Sequence, residues 1–421
     1  MPPESGPSHN PVSEGNPFRN RGIDPDTGEP VTPEKPGTFV AKYLGKDAGH
    51  AVDELVGQDK VGGGSKKEAA KDLRNLLTPE EQEAATQTEE QELLDLLPKL
   101  AEQYKAQVEI LQNRGYLGTL DDGKEGIIDI KGNEHVLPGL EQITQRLIDK
   151  NKETKGALET KLEQGFTKIV IVPFGRSLSA HLGIYKQTIL DHYQVGQQVD
   201  GTSTLLLGAD GNPLPAILER DGSITPALDP DTPFWIWDEL TKGDGADIAG
   251  TMVYNSTQFD KDKHGGVTKA ELLKQDPKQA FQIYLLQQDP NIPRAGKGKA
   301  KAGRKQLEAG ESPKAYLDTF QQADTDPDNP YHLEQGLTPE AALTLATLAL
   351  DETNQVLGDF EAKDASNNPL TSISFLTGAY LPSLDRLLRF GWARGSRQAD
   401  LYGGQVEGAN AGIGAHSAVR I

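Results

Sequence analysis

The chain contains no cysteine among its 421 residues. It therefore has no disulfide, no thiolate zinc site, no cysteine-held iron–sulfur cluster and no thiol nucleophile. No apolar run approaches the roughly 20 residues of a membrane-spanning helix. The first residues carry neither the basic region nor the apolar core of a signal peptide. We therefore expect a cytoplasmic protein without a membrane segment.

Acidic residues outnumber basic residues in this chain. It has 63 Asp and Glu and 43 Lys and Arg, which gives a formal net charge of −20. A protein that covers nucleic acid needs a basic face, so we do not expect a nucleic-acid partner. One local basic island, Asn291–Lys305, lies within this acidic sequence. It lacks the residue order of a P-loop and has no aromatic residue to stack on bases. We interpret it as a solvated loop, with phosphate or nucleic-acid contact as the alternative.

Composition and periodicity divide the chain into three parts. Residues 1–75 are rich in Pro, Gly, Ser and charge, which predicts a disordered leader. Residues 76–165 carry three amphipathic helical stripes that follow a capping box at Thr78–Glu81. These stripes pack either as a bundle within the chain or as a coiled coil that joins subunits. The small number of heptads favours the bundle, and the coiled coil would make this helical module an oligomerisation element.

Residues 166–421 have the pattern of an α+β domain. The β-branched run Lys168–Val172 predicts a strand, and an amphipathic helix follows it. Further short strands and one helix from Thr338 to about Leu357 are joined by long connections, which are typical of folds that display loops. Alternation in Phe234–Trp237 predicts that Trp235 and Trp237 share one strand face in the core.

The segment from Ala379 to the C-terminus is rich in glycine and has no periodicity through its middle. Glycine can adopt the positive φ values that irregular backbone requires. The sequence nevertheless ends in the alternating, strand-like Ser417–Ile421. We predict a long irregular loop that is organised by a buried Trp392 and ends in a strand. Such a loop on a scaffold is expected to be the binding surface.

One segment matches the spacing of a calcium-binding loop, with Asp260, Asp262 and Glu271 as candidate ligands. His264 at the fifth position is a poor ligand for a hard cation, so a polar turn that leads into a helix is the interpretation we favour. The histidines form no tight ligand pair, since His181 and His192 would lie about 16 Å apart along one helix. We expect no cofactor, with calcium at this loop as the alternative.

The C-terminal tail resembles the end of a C-type lectin-like domain. Two stretches carry the resemblance, Trp392–Ala399 and Gly412–Ile421. The pattern is similar to the one that closes formylglycine-generating enzymes, and more specifically to the variable proteins of diversity-generating retroelements. In those proteins, adenine-directed mutagenesis rewrites the C-terminal segment of the lectin fold. The resemblance covers residues 166–421 and implies a C-type lectin-like ligand-binding domain with long loops and a variable region at 380–414.

The resemblance divides the tail into a fixed and a variable set. The implied framework positions are Trp392, Ser396, Arg397, Gln398, Ser417, Val419 and Arg420. The implied variable, ligand-binding positions are Leu384, Arg386, Leu388, Phe390, Ala393, Gly395, Asp400, Tyr402, Gly403, Ala409 and Ala411. Randomising the first two bases of an asparagine codon reaches every residue of the variable set but not Gln405 or Glu407, which are framework or count against the interpretation. The resemblance also implies that Lys168–Val172 pairs with the terminal strand Ala418–Ile421.

The function implied by the resemblance is binding rather than catalysis. Formylglycine-generating oxidases need active-site thiols, and this protein has none. We expect a hypervariable ligand-binding protein that is not an enzyme and whose target is a protein. Two alternatives stay open: a metal-dependent enzyme of unknown type that uses His181, His192 or Asp260, and an oligomeric scaffold protein.

Overall fold

The computed structural model describes residues 99–200, 206–214, 216–218, 220, 224–241 and 250–421. These residues belong to one unit, Glu89–Ile421. They mix helices and strands, so the predicted α+β class is confirmed. The predicted leader at 1–75 and the capping box at Thr78–Glu81 lie outside the described residues.

The elements are numbered in sequence order. The helices are α1 (described over 99–113), α2 (Leu140–Glu153), α3 (Ala157–Glu163), α4 (Leu178–Asp200), α5 (Asp238–Thr241), α6 (Lys269–Gln275), α7 (Pro313–Asp324) and α8 (Pro339–Thr353). The strands are β1 (Gly118–Thr119), β2 (Glu125–Ile128), β3 (Glu134–Val136), β4 (Phe166–Val172), β5 (Ile217–Leu218), β6 (Ile224–Thr225), β7 (Phe234–Ile236), β8 (Val253–Tyr254), β9 (Val267–Thr268), β10 (Gln282–Gln287), β11 (Ile292–Pro293), β12 (Ala300–Lys301), β13 (Arg304–Lys305), β14 (Glu334–Gly336), β15 (Thr371–Phe375), β16 (Ala379–Tyr380), β17 (Arg386–Ala393), β18 (Gln398–Gln405), β19 (Ile413–Ala415) and β20 (Ser417–Arg420). No helix among the described residues is long and apolar enough to cross a membrane.

A four-stranded antiparallel sheet with the order β14-β20-β10-β4 is buried on both faces. Val170 and Val172 of β4 point into the main apolar cluster, which also contains residues of α4 and α8. Ile169 and Ile171 point the other way, into a second cluster with residues of α1, α2 and α3. Cover on both faces explains why β4 is a continuous apolar run rather than an alternating one.

The predicted pairing of the opening strand with the terminal strand is wrong. Strand β10 lies between them: β4 pairs with one edge of β10, and β20 pairs with the other, with Leu285 opposite Val419. Strands β4 and β20 therefore belong to the same sheet but do not form hydrogen bonds with each other. The Phe281–Leu286 segment has the apolar, β-branched and aromatic composition that suits a central strand.

The predicted helical module shares its core with the strands. Leu111, Ile143 and Leu158, from the three helices, are fully buried together with Ile171 and Val419. An antiparallel three-stranded sheet, β1-β2-β3, which the sequence did not predict, lies between α1 and α2 in sequence. The predicted boundary at residue 165 therefore falls inside one apolar cluster, and the helical stripes pack on the four-stranded sheet.

The C-terminal segment forms a β-hairpin rather than the predicted irregular loop. Strands β17 and β18 pair in continuous register, from Arg386 opposite Gln405 to Ala393 opposite Gln398. They lie in a sheet with the order β11-β15-β17-β18-β7, to which β19 adds by pairing with β15. A Cβ added at Gly358 would lie 2.7 Å from the Cα of Gly391. Glycine here therefore marks a close approach of two backbones and not a loop.

The helix predicted from Thr338 begins as expected. The Thr338 hydroxyl accepts a hydrogen bond from the Ala341 amide at 3.2 Å, which caps the first turn. The helix ends at Thr353, because Asn354 adopts a left-handed conformation with φ of 57°. It is therefore shorter than the predicted end at Leu357.

The shared core predicts that residues 99–165 unfold together with the rest of the unit. We expect Ile143→Ala to lower the free energy of unfolding by about 2–5 kcal/mol, since it leaves a cavity at a fully buried position. The loss should appear in the urea transition followed by tryptophan fluorescence, because all three tryptophans lie beyond residue 165. Ile128→Ala is the control, since Ile128 is 59% exposed. An unchanged fluorescence midpoint for Ile143→Ala would show that the two parts unfold independently.

Candidate functional site

The hairpin of β17 and β18 is held at its turn by charged side chains. Arg394 forms a two-pronged ion pair with the fully buried Asp359, with Nε to Oδ1 at 2.9 Å and Nη2 to Oδ2 at 2.7 Å. Asp210 adds a second carboxylate 3.3 Å from Nη2. The amide of Gly395 donates to Glu361 at 3.0 Å. Bidentate pairs of this kind fix geometry as well as charge, so the turn has a defined position.

The two faces of the hairpin have different surroundings. Leu388, Phe390 and Trp392 of β17 lie in the main apolar cluster, and so do Ala399 and Leu401 of β18. Because side chains alternate along a strand, the residues between them point to the opposite face. On that face, the end near β15 is covered by a third apolar cluster that includes Phe375 and Leu387.

The other end of that face carries five side chains that we call the hairpin platform: Trp235, Arg389, Gln398, Asp400 and Tyr402. Arg389 lies opposite Tyr402 in the β17–β18 register, and Asp400 lies opposite Trp235 in the β18–β7 register. The sequence did not indicate that these five residues lie together, because Trp235 is far from the hairpin along the chain.

Aromatic contacts organise the platform. The rings of Trp235 and Tyr402 have centroids 4.4 Å apart with planes tilted by 34°. The guanidinium of Arg389 lies 4.9 Å from the centre of the Tyr402 ring, within the range of a cation–π contact. Trp235 is half-buried at this surface, so the prediction that it lies in the core is wrong. Trp237 packs partly against the main cluster.

Asp400 is the one member of the platform that is buried, at 7% exposure. Burial raises the pKa of its carboxyl to about 6, against the opposing effects of a hydrogen bond from Gln398 and the charge of Arg389. Gln398 Nε2 donates to Asp400 Oδ1 at 3.0 Å. Asp400 therefore changes its charge near neutral pH, which is uncommon for an aspartate.

The predicted variable positions fall into three environments. Leu388, Phe390 and Asp400 are buried; Leu384, Arg386, Ala393, Tyr402 and Gly403 are half-buried; Gly395, Ala409 and Ala411 are exposed. The structure therefore brings only Asp400 and Tyr402 into the platform. A Cβ at Gly403 would lie 2.6 Å from the ring of Trp237, which leaves no room for a side chain there.

The predicted framework positions mostly make structural contacts. Trp392 is 1% exposed, which confirms that it is a buried anchor. Arg397 adopts a left-handed φ of 58° in the turn, and its side chain donates to the Pro226 carbonyl. Ser417 contacts Glu334, Val419 is fully buried, and Arg420 donates to Asn255. Gln398 differs from these, because it bonds to Asp400 in the platform, and Ser396 is exposed in the turn.

The candidate calcium ligands are engaged in local backbone caps. Asp260 accepts hydrogen bonds from the amides of Asp262 and Lys263, both at 2.9 Å. Glu271 completes a capping box with Thr268 at the start of α6. A strand, β8, and not a helix precedes this segment. The described residues contain no group of three or more His, Asp or Glu side chains that could hold a metal ion.

The two candidate catalytic histidines have separate structural roles. His181 is fully buried, with Nε2 3.1 Å from the Pro173 carbonyl oxygen, and burial lowers its pKa to about 3. His192 lies in an ion-pair network, 2.8 Å from Asp351, which also pairs with Arg114. The structure does not bring the two rings to one site.

Two arginines of the basic island are packed into the protein, so the interpretation as a solvated loop is wrong for them. Arg304 is 2% exposed and donates to both carboxylate oxygens of Glu334, at 2.6 and 2.7 Å. Lys161 approaches the same carboxylate at 2.5 Å. Arg294 donates to the carbonyls of Thr371 and Phe360. These cations stabilise the protein's own fold.

No family model, curated protein or solved structure matches this sequence significantly. The platform therefore has to be judged on its own geometry. Sequence reasoning missed Arg389, whose signal was alternation: it falls between Leu388 and Phe390, which lie in the main apolar cluster, and therefore points to the other face of β17.

The burial of Asp400 predicts a pH-dependent effect on stability. The folded state holds the Asp400 proton more tightly than the unfolded state does, since the pKa is raised from 3.8 to about 6. The contribution to stability is therefore present below about pH 4 and is lost as the pH rises through about 6. We expect Asp400→Asn to be more stable than the native protein near pH 7.5, by up to about 3 kcal/mol, and to lose that advantage near pH 4.

Urea denaturation at the two pH values measures this difference. Asp318→Asn, at an exposed position of α7, makes the same change of charge and should show neither effect. An Asp400→Asn variant that is less stable than the native protein near neutral pH would contradict the burial argument.

The two glycines at predicted variable positions should respond differently to substitution. We expect Gly403→Ala to lower the free energy of unfolding by about 1–3 kcal/mol, because the new Cβ meets the Trp237 ring. Gly395→Ala should have little effect, since the nearest atom to its Cβ is 3.6 Å away. Thermal unfolding of both variants compares them, and equal losses would mean that the Trp237 contact does not restrict position 403.

Proposed function

We propose that this is a ligand-binding protein whose C-terminal part is a C-type lectin-like domain with a retroelement-diversified surface. The observation that supports the proposal is the hairpin platform. An aromatic pair, a guanidinium and a titratable carboxyl stand on one face of a hairpin whose other face is fixed in the core. A rigid scaffold beneath half-buried functional groups favours binding, because little order has to be gained when the ligand arrives.

The proposed binding surface uses part of the predicted variable set. Asp400 and Tyr402 belong to the platform, and Arg386, Ala393, Gly395, Ala409 and Ala411 have exposed or half-exposed positions around the hairpin and the segment after it. Leu388, Phe390 and Gly403 are left out of the surface, because the first two lie in the core and the third has no room for a side chain. A protein target fits a surface of this kind, since aromatic and arginine side chains are enriched where proteins bind proteins.

Binding is proposed in preference to catalysis on the basis of where the reactive groups lie. His181 is enclosed in the core, and His192 is held in an ion-pair network. The carboxyl with the raised pKa, Asp400, faces an aromatic surface and an arginine instead of a nucleophile or a second carboxyl. A cytoplasmic location stays a prediction from the sequence. Association of copies through the helical module and calcium binding at Asp260–Glu271 stay alternatives to the favoured interpretations.

The DNA around the gene tests the proposal directly. A diversified protein requires a template, so we expect a near-copy of the 3′ end of the gene, differing mainly at adenines, with a reverse transcriptase gene beside it. Differences should concentrate in codons for exposed positions such as Gly395, Ala409 and Ala411. Sequence that contains neither a template copy nor a reverse transcriptase would remove the retroelement part of the proposal.

A further inference from the structure

The guanidinium of Arg389 has no hydrogen-bond acceptor among the residues that the structure describes. Its Nε is buried and has no hydrogen-bond partner, and its side chain makes no hydrogen bond or ion pair with the residues that the structure describes. Its guanidinium lies over the face of the Tyr402 ring. A buried donor that bonds neither protein nor ligand is costly, because it has lost water without a replacement.

The other arginines of the hairpin are satisfied within the protein. Arg394 binds Asp359, Arg397 donates to the Pro226 carbonyl, and Arg386 donates to the Asp385 carbonyl at 2.9 Å. Asp400 shares a face with Arg389, but its Oδ1 accepts from Gln398 instead. Arg389 is thus held on the platform by stacking, and its two terminal nitrogens, which are not buried, make no hydrogen bond with the described residues.

The neighbours of Arg389 restrict what can bind there. Trp235 and Tyr402 form a stacked aromatic surface beside the guanidinium. An anion suits the guanidinium, and the planar fork of arginine matches the two oxygens of a carboxylate. An apolar or planar group attached to that carboxylate would cover the rings.

We propose that Arg389 binds a carboxylate of the ligand while Trp235 and Tyr402 pack against the apolar group beside it. This rests on the proposed function, since it assigns a ligand chemistry to the same platform. On a protein target, the carboxylate belongs to an acidic side chain next to an aromatic or aliphatic one, or to the C-terminus of the target.

The net charge of −20 opposes an acidic ligand at long range but not at contact. At physiological ionic strength the screening length is about 8 Å, so distant carboxylates act weakly on a ligand seated on the platform. Close to Arg389, the ionised carboxylate of Asp400 opposes the binding of a second carboxylate. When Asp400 is protonated, Arg389 keeps its charge without a neighbouring negative charge from β18. Among the described residues, Tyr402 of β18 also acts on this pair, and β7 contributes the uncharged Trp235. Carboxylate binding should therefore tighten as the pH falls through about 6.

The test uses the full-length protein labelled with fluorotryptophan, which gives one fluorine NMR signal for each of its three tryptophans. Trp235→Phe assigns the platform signal. We expect benzoate to shift the Trp235 signal saturably and benzamide, which has the same ring without the charge, to bind at least about tenfold more weakly. The affinity for benzoate should rise between about pH 7.5 and pH 5, and Asp400→Asn should bind benzoate more tightly at the higher pH with a flatter pH profile.

Variants at Arg389 separate its role from folding. Arg389→Gln should weaken benzoate at least about tenfold, and Arg389→Lys, which keeps the charge without the fork, should fall between it and the native protein. Arg146→Gln on α2 makes the same change of charge far from the hairpin and should leave benzoate affinity unchanged. The signals of Trp237 and Trp392 report whether each variant keeps its core.

The outcomes distinguish the two proposals. Equal binding of benzoate and benzamide at Trp235 would support a platform that binds ligands and would overturn the carboxylate assignment. Full benzoate affinity in a folded Arg389→Gln variant would overturn it as well. The absence of any shift at Trp235 with either compound would count against the platform as a binding surface. N-acetylphenylalanine and N-acetylglutamylphenylalanine amide then compare a terminal with a side-chain carboxylate beside the same ring, and the tighter of the two assigns the source.

Discussion

Burial of strand β10 on both edges and both faces is the constraint on which the rest of the structure depends. Its neighbours β4 and β20 come from opposite ends of the α+β region, so the complete sheet joins the first and last strands of that region. Its side chains then require two apolar layers, one from α4 and α8 and the other from α1, α2 and α3. The edge strand β14 carries Glu334, which is fully buried against Arg304 and Lys161. Removing Glu334 from this cluster would cost about 3–5 kcal/mol, because two buried cations would lose the carboxylate that pairs with them.

The same logic limits how the hairpin can present ligand-binding residues. Because side chains alternate, every second position of β17 and β18 belongs to the core, and Leu388, Phe390 and Trp392 illustrate this. The turn is fixed by Arg394 on Asp359, and the backbone at Gly391 by its contact with Gly358. Variation without loss of folding is therefore restricted to the opposite face, the turn and the segment after β18. A variable set drawn from codons alone includes core positions, since the genetic code contains no information on burial.

The sequence predicted the elements whose patterns are local. The helix capped by Thr338, the strand Lys168–Val172 and the buried Trp392 all followed from residue type and spacing. The order of strands did not, because it depends on pairing between segments more than a hundred residues apart, such as β4 with β10. The hairpin was missed for a different reason: a glycine-rich sequence favours a loop, whereas Gly391 and Gly403 leave room for Gly358 and for the ring of Trp237. The platform could not be predicted, because it joins Trp235 to residues of a later hairpin.

The platform residues differ in whether they lie inside the predicted variable region. Trp235 lies outside the segment 380–414, whereas Arg389, Asp400 and Tyr402 lie within it. Under the proposed diversification, Trp235 would be the same in all sibling copies of the protein. The charged residues next to it, Arg389 and Asp400, would differ between copies. Replacing Tyr402 removes the ring that supports Arg389, so the guanidinium would lose its position even if Arg389 itself were retained. Charge and stacking would therefore change together, because the two strands place Arg389 directly opposite Tyr402. A small number of substitutions on this face could convert a site for an acidic group into one for a neutral or basic group without any change to the core beneath it.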